Sequence, residues 1–230
     1  MDLPELLPGT FVQRDNRFRA TVLVDGRQTW AFVPNSGRLT DLFTPDRPVW
    51  LHPAESPARK TDYDLVLVEH AGVLVSVDAR LPNPLFEEYL QEMKGHPFEH
   101  LGGFQIHREV MRGESRLDFQ LQGTQGACWV ETKSVTLVED GTAYFTDATT
   151  SRGRRHVADL AEAVHQGDCA SVVFVVQRPD AASFSPYREV DPQFATLLKQ
   201  AAEGGVDVRA FTCQVSLSRI RIDREIPCRL

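Results

Sequence analysis

The stretch Ser115–Val135, S-R-L-D-F-Q-L-Q-G-T-Q-G-A-C-W-V-E-T-K-S-V, constrains the fold more than any other part of the chain. Leu117, Phe119 and Leu121 alternate with Asp118 and Gln120, the two-residue period of a half-buried strand. Gly123-Thr-Gln-Gly126 supplies a turn, and a second strand starts near Cys128. In that strand Trp129, Glu131, Lys133 and Val135 share one face, because side chains two residues apart project the same way. Asp118, on the preceding strand, lies beside Glu131 and Lys133 if the hairpin register is right. An Asp and a Glu form the smallest hard-oxygen set that holds Mg²⁺ or Mn²⁺ and leaves room for water and phosphate. A lysine beside them can steady an attacking water or a phosphate charge. The same residues also make an ordinary cross-strand ion pair. E-x-K is a common triplet, and Glu92-Met-Lys94 is a second copy, at helical spacing.

The rest of the chain splits near residue 80. Between residues 10 and 80 lie short strand candidates, Thr10–Arg14, Phe18–Val24, Thr29–Val33, Pro48–His52, Asp64–Glu69 and Val73–Val77, separated by close turns. Five or six such strands predict a small barrel over residues 1–80, with the OB-fold as the form that commonly binds oligonucleotides. Its exposed arginines Arg14, Arg17 and Arg38 are candidate phosphate contacts. Phe18 and Trp30 could stack on bases, but burial in the barrel core is the first expectation for both.

From residue 81 to 230 helices and strands alternate. Asn83 and Pro84 read as the cap and first position of a helix carrying Leu85, Phe86, Tyr89, Leu90 and Met93. Arg152, Arg154, Arg155 and His156 cluster where a second helix begins, its buried stripe being Val157, Leu160, Ala161 and Val164. Cations oppose the dipole at a helix N-terminus, so the cluster reads as a phosphate-binding end. Ser171–Gln177 is a central strand by its unbroken apolar run. A third helix starts after Asp191-Pro192, and strands follow over Val206–Val215 and Arg219–Ile222. The order predicts a mixed sheet with helices on both faces.

Charge bears on the partner. The net charge is −7, with 9 Lys and Arg against 11 Asp and Glu up to residue 80, and 16 against 21 beyond it. Neither part coats nucleic acid by bulk charge, so phosphate contacts must come from local clusters. Cys128, Cys169, Cys213 and Cys228 are scattered without C-x-x-C and are expected as buried free thiols. The start of the sequence lacks the basic and long apolar segments of a signal peptide, and no apolar run is long enough to span a bilayer. A reducing, cytoplasmic setting and no membrane association are the expectation.

A helix, then strands carrying Asp and E-x-K, then a helix and a strand, resembles the core of the PD-(D/E)xK nucleases. Over nearly its whole length the chain is similar to the SfsA family, the sugar fermentation stimulation proteins. N-R-F at Asn16–Phe18, P-N-S-G-R at Pro34–Arg38, R-K-T-D-Y-D-L at Arg59–Leu65 and L-P-N at Leu81–Asn83 carry the likeness. So do S-R-L-D-F at Ser115–Phe119, E-T-K-S-V-T-L at Glu131–Leu137, R-G-R-R-H at Arg152–His156 and F-S-P at Phe184–Pro186. The resemblance implies an OB-like barrel joined to a PD-(D/E)xK nuclease-like α/β domain. It also implies DNA binding with little sequence preference and a regulatory role in sugar metabolism. Carried onto this chain, Asp118, Glu131 and Lys133 would form the catalytic set, with Asp118, Glu131 and the Thr132 carbonyl holding Mg²⁺ or Mn²⁺. The other reading is a DNA-binding regulator that keeps the nuclease fold without turnover. Thr132 stands where a branched aliphatic residue is usual, and Thr146 and Thr149 stand where prolines are usual, which leaves the role of Asp147 open.

Overall fold

Small and branched apolar residues at every second position close the first part of the chain into a barrel. The computed structural model describes residues 1–56 and 58–230. Strands β1 (Leu7–Asn16), β2 (Arg19–Val24), β3 (Arg27–Phe32), β4 (Pro48–Pro53) and β5 (Tyr63–His70) pair in the ring β1-β2-β3-β5-β4-β1. All these pairings are antiparallel except β3 with β5. Phe11, Ala20, Val22, Ala31, Leu51 and Leu65 fill the interior. The short strand β6 (Val73–Ser76) extends the sheet beyond β5.

The second part centres on a six-stranded sheet. Its members are β7 (Phe104–Arg112), β8 (Ser115–Gly123), β9 (Gly126–Val135), β12 (Cys169–Val176), β14 (Asp207–Val215) and β15 (Ile220–Ile226), in the order β15-β14-β12-β9-β8-β7. Strands β9, β12 and β14 run parallel, and β7, β8 and β15 are antiparallel to their neighbours. Burial on both sides explains the unbroken apolar run of β12. Helix α1 (Pro82–Glu92) covers one face, with Leu85, Phe86 and Leu90 in one core with Phe119 and Val130. Helices α2 (Ser151–His165) and α3 (Pro192–Glu203) cover the other, through Val157, Leu160, Phe194 and Leu198. A small sheet of β10 (Leu137–Glu139), β11 (Thr142–Phe145) and β13 (Ser183–Pro186) flanks it. Strands of three or four residues show too little alternation to stand out in the sequence.

Three expectations are corrected. Helix α1 begins before Asn83: its N-cap is Leu81, with Pro82 in the first turn, and no side chain caps it. Phe18 and Trp30 lie outside the barrel, each 46% exposed. Cys128 and Cys169 face each other across the parallel β9–β12 pair, Cα atoms 4.3 Å apart, and are joined as a disulfide; Cys213 and Cys228 are free. The two cysteines lie 41 residues apart, so only the strand pairing reveals their proximity. Among the described residues no helix is long and apolar enough to cross a membrane.

Barrel and second sheet are tied by specific polar contacts. Ser76 N–H donates to the Gln177 carbonyl at 3.0 Å. Gln177 Nε2 donates to the Asp78 carbonyl at 3.0 Å and to Ser134 Oγ at 2.9 Å. Met1 also pairs with the second sheet, its carbonyl accepting from Ile220 N–H at 3.0 Å. One fold-level outcome is directly countable. In denaturant without reductant a thiol-reactive dye should label two cysteines per chain, and four after reduction; four in both conditions would remove the Cys128–Cys169 bond.

Candidate functional site

The site forms where β8 leaves β9. Their ladder runs from Gly123↔Gly126 to Phe119↔Val130 and stops there. Strand β8 continues beside β7 to its own end at Ser115, while β9 keeps its pairing with β12 as far as Val135. The backbone N–H of Thr132 loses its strand partner, and a buried amide left unpaired costs about 1–3 kcal/mol. The carboxylate of Asp118 takes that role, with Oδ2 accepting from Thr132 N–H at 2.9 Å. In return Asp118 N–H donates to Glu131 Oε2 at 3.3 Å. The two acids therefore meet because their side chains close the gap between two parting strands.

Each acid is further held. Asn83, on α1, donates from Nδ2 to Asp118 Oδ1 at 2.9 Å. Thr132 Oγ1 sits between Asn83 Oδ1 and Asp118 Oδ2. Glu131 is only 3% exposed, and Lys133 Nζ donates to its Oε1 at 2.5 Å. His156, 2% exposed on α2, bonds the same oxygen through Nδ1. Arg152 Nε donates to His156 Nε2 at 3.3 Å. A guanidinium only donates, so Nε2 is the accepting nitrogen, and Nδ1 carries the hydrogen given to Glu131.

The two carboxyls are shifted in opposite directions. Burial, then the nearby charge of Glu131, pushes Asp118 above the usual aspartate range. Burial also opposes ionisation of Glu131, but the Lys133 charge and the His156 hydrogen bond outweigh it and hold Glu131 below its usual range. Paired carboxylates whose environments push them apart are common in active sites, although structural ion pairs show the same effect.

The donor set fits a hard divalent cation. Counting two lone pairs per oxygen, Glu131 Oε1 already has two donors, and Asp118 Oδ2 has the Thr132 amide and shares the single Thr132 hydroxyl hydrogen with Asn83 Oδ1, whereas Asp118 Oδ1 and Glu131 Oε2 have one donor each among the described residues. Two oxygens from adjacent acids thus keep coordinating capacity. Among the described residues no group of three or more His, Cys, Asp and Glu is disposed around one point. Such a site resembles those of Mg²⁺, which takes one or two carboxylates and completes its shell with water and phosphate. Thr132 and Lys133 line a cleft of about 520 Å³ between barrel and second sheet, with Arg17, Gly37 and Asp41 on the barrel side and Asp147 and Arg152 opposite.

The remaining sequence candidates divide. Arg17, Arg38, Arg152 and Arg155 are exposed. Arg14 is corrected: its guanidinium donates to the carbonyls of Asn16, Arg17, Asn35, Gly37 and Arg38, so it braces the barrel loop and has no donor left for phosphate. Arg154 is held by Asp191 and Gln193. His156 is buried against Glu131 and cannot be an exposed phosphate contact. The start of α2 is capped by its own Thr150, whose Oγ1 accepts from Gly153 N–H at 2.9 Å. Asp147 Oδ2 accepts the backbone N–H groups of Arg38 and Leu39, pinning a barrel loop to the second sheet. Asn83 and His156 are the site residues that the sequence reading misplaced. L-P-N and R-G-R-R-H were visible as blocks, but only the fold shows what their polar members face.

The opposed shifts have a measurable sign. In metal-free protein the raised Asp118 value means that the folded state binds the proton more tightly, so wild type loses stability as pH rises from the usual aspartate range through that value. Asp118→Asn lacks this loss. Its urea midpoint relative to wild type should therefore climb across that window, and a constant offset would contradict the assignment.

Comparison with known proteins extends along the whole chain. The family model described as Sugar fermentation stimulation protein RE domain matches residues 80–219, and the SfsA N-terminal OB domain matches residues 12–77. The sugar fermentation stimulation protein homolog of Desulforamulus reducens is 42% identical over 99% of this chain and 94% of its own length. That of Moorella thermoacetica is 42% identical over 94% of this chain and 93% of its own. The solved structure of Pyrococcus furiosus SfsA in complex with Ca²⁺ matches with a TM-score of 0.90 at 33% identity, covering 100% of this chain and 98% of that one. With its barrel and its acid-bearing sheet each matched in order, the chain belongs to the sugar fermentation stimulation protein family.

Proposed function

We propose that this protein binds DNA with little sequence preference and is a divalent-cation-dependent phosphodiesterase acting on nucleic acid. The observation that carries this reading is the convergence of Asp118 and Glu131 with Lys133, which itself lines the cleft. The Ca²⁺ in the Pyrococcus furiosus relative is consistent with a hard-oxygen cation site. Asp118 and Glu131, with the Thr132 carbonyl, would hold Mg²⁺ or Mn²⁺. Such an ion supplies Lewis acidity to a phosphate oxygen and acidifies its bound water.

The side chains divide the remaining work. Asn83 and Thr132 fix the plane of the Asp118 carboxylate. His156 fixes Glu131, and Arg152 fixes the tautomer of His156. Lys133 has three N–H donors and gives one to Glu131, leaving the others for a phosphate oxygen or the attacking water. Arg152 and Arg17 supply positive charge on opposite walls of the cleft.

The second reading, a DNA-binding regulator without turnover, is favoured by one observation: Lys133 and His156 already compensate Glu131. On that reading Lys133 is only a counter-ion. Lys133→Met separates the two. For an enzyme, cleavage with Mg²⁺ or Mn²⁺ should fall about 10²-fold or more, the scale of one preorganised electrostatic donor. DNA affinity should change little. Stability should fall because Glu131 loses a partner, and Glu131→Gln in the same chain should restore stability without restoring cleavage. Wild type that cuts neither DNA nor RNA with either metal, or a Lys133→Met protein that cuts at the wild-type rate, would defeat the enzymatic reading.

Binding has its own test. Arg152→Ala should weaken DNA affinity alike for all sequences and reduce the slope of log affinity against log salt by about 0.7–0.9. Arg154→Ala should leave the slope unchanged, because Asp191 and Gln193 already hold that guanidinium. Fluorescence anisotropy across a salt series reads both, and equal slopes for all three proteins would place the DNA elsewhere.

A further inference from the structure

The cleft that Lys133 lines is small, and hydrogen bonds between its two walls fix its width. Asp147 Oδ2 accepts the amides of Arg38 and Leu39 from the barrel loop, the second at 3.0 Å. That loop comes so close that a Cβ on Gly37 would stand 3.0 Å from Asn35 Oδ1 and 3.1 Å from Asp147 Oδ2. Gln177 ties the Asp78 carbonyl to Ser134 Oγ across the same junction. The space left is about 520 Å³. Sites for single small molecules occupy roughly 300–1,000 Å³, whereas specific duplex interfaces spread over roughly 1,000–2,500 Å² of protein surface. Lys133 itself is only 11% exposed, so a phosphate meets its ammonium group from within this space.

The small flanking sheet adds a ring to the lining. Tyr144, on β11, borders the cleft and is half-buried. It is paired with Leu137 of β10 on one side and Ser185 of β13 on the other. Tyr187 packs against its ring with centroids 4.9 Å apart, and Tyr187 N–H donates to the Phe145 carbonyl at 2.6 Å. Among the described residues Tyr144 belongs to none of the three apolar cores. A planar ring is thereby held in place at a polar cavity without serving the packing of the fold.

We infer that this cleft is a nucleotide pocket, in which the terminal unit of a single strand sets its base against Tyr144 and its phosphate beside Lys133 and Arg152. The inference deepens the proposed function and rests on it for hydrolysis, not for binding. Its consequence is entry from strand ends. The charged lining residues are Arg17, Lys133 and Arg152 against Asp41 and Asp147, a balance suited to one phosphodiester rather than to the dense charge of a triphosphate. Bases inside a duplex are covered by their neighbours, whereas a terminal unpaired base offers its face to a ring. Each hydrolysis consumes one water: its oxygen bonds to phosphorus, the bond from phosphorus to the leaving sugar oxygen breaks, and that oxygen takes up a proton.

Two measurements test the pocket. In the first, the dinucleotide dTpdT is titrated by calorimetry in chelator against wild type, Tyr144→Ala and Tyr144→Phe, each checked for folding by circular dichroism. Wild type should bind one dinucleotide per chain. Tyr144→Ala should bind at least about 10-fold more weakly, given the scale of base–aromatic stacking, and Tyr144→Phe should keep most of the affinity. No saturable binding by wild type, equal affinity in Tyr144→Ala, or an equal loss in Tyr144→Phe would overturn the assignment. The wild-type titration decides the matter even where a Tyr144 variant does not fold. In the second, linear and closed-circular single-stranded DNA of one sequence are incubated with wild type and Mg²⁺ or Mn²⁺. The linear strand should be shortened from its ends and the circle left intact. A circle cut as fast as the linear strand would overturn end entry and leave the phosphodiesterase standing. If neither is cut, the phosphodiesterase reading falls and the pocket is judged on dinucleotide binding. Hydrolysis of dTpdT with no shortening of the linear strand would overturn the strand terminus in favour of a free small nucleotide.

Discussion

The Asp118 carboxylate bridging to the Thr132 amide is the contact on which the site depends. Two strands that part inside a sheet expose backbone groups that water cannot reach. A side-chain acceptor must take over, and a carboxylate does so more strongly than a neutral group. Placing it there brings a second acid, Glu131, within one bond of it. Burying two carboxylates together is unfavourable unless cations or protons compensate. Lys133 compensates Glu131 directly and His156 hydrogen-bonds it, and burial with the Glu131 charge shifts Asp118 upward. The remaining deficit of positive charge is what a divalent cation would relieve.

The architecture around that contact is held from three sides. Helix α1 delivers Asn83 from one face of the sheet, and α2 delivers His156 from the other. Strand β12, paired with β9 along the whole segment, keeps Glu131 and Lys133 in register. The barrel contributes the opposite wall of the cleft, and its position follows from Gln177 and Asp147. Asp147 receives two consecutive amides of a barrel loop, and Gln177 bonds to both parts of the chain. Asp147, and the Ser134 that accepts from Gln177, border the same cavity as Lys133. Moving the barrel against the sheet would change the cleft before it changed the acids.

The sequence shows most of this fold because its elements are strongly periodic. The alternation of β8 and the apolar run of β12 lie where periodicity puts them, and α2 buries Val157 and Leu160 as expected, with Ala163 rather than Ala161 and Val164 completing its stripe. Asp118, Glu131 and Lys133 could be placed on one hairpin from spacing alone. Longer-range relations were not legible. Asn83 suits a helix cap by residue type, yet the preceding prolyl turn starts the helix earlier and frees its amide for Asp118. His156 sits among arginines in sequence, but a helix turns it inward while Arg152 and Arg155 face out. Arg14 has the exposure of a surface cation and the bonding of a structural brace. Phe18 and Trp30 read as core because aromatic residues usually are, while Phe11 and aliphatic residues already fill the barrel.

These misplacements share a physical consequence for how an acidic protein can meet a polyanion. A chain of net charge −7 has no general attraction for phosphate, and several of its arginines are engaged with acids or carbonyls. Bulk electrostatics therefore cannot supply affinity. Arg17, Lys133 and Arg152 line the cleft together with Asp41 and Asp147, and Lys133 lies next to the acid pair. On the proposed function, an arrangement of this kind would exchange strong, salt-sensitive attachment for positioning, because a backbone phosphate would meet these cations only beside the acid pair and Lys133.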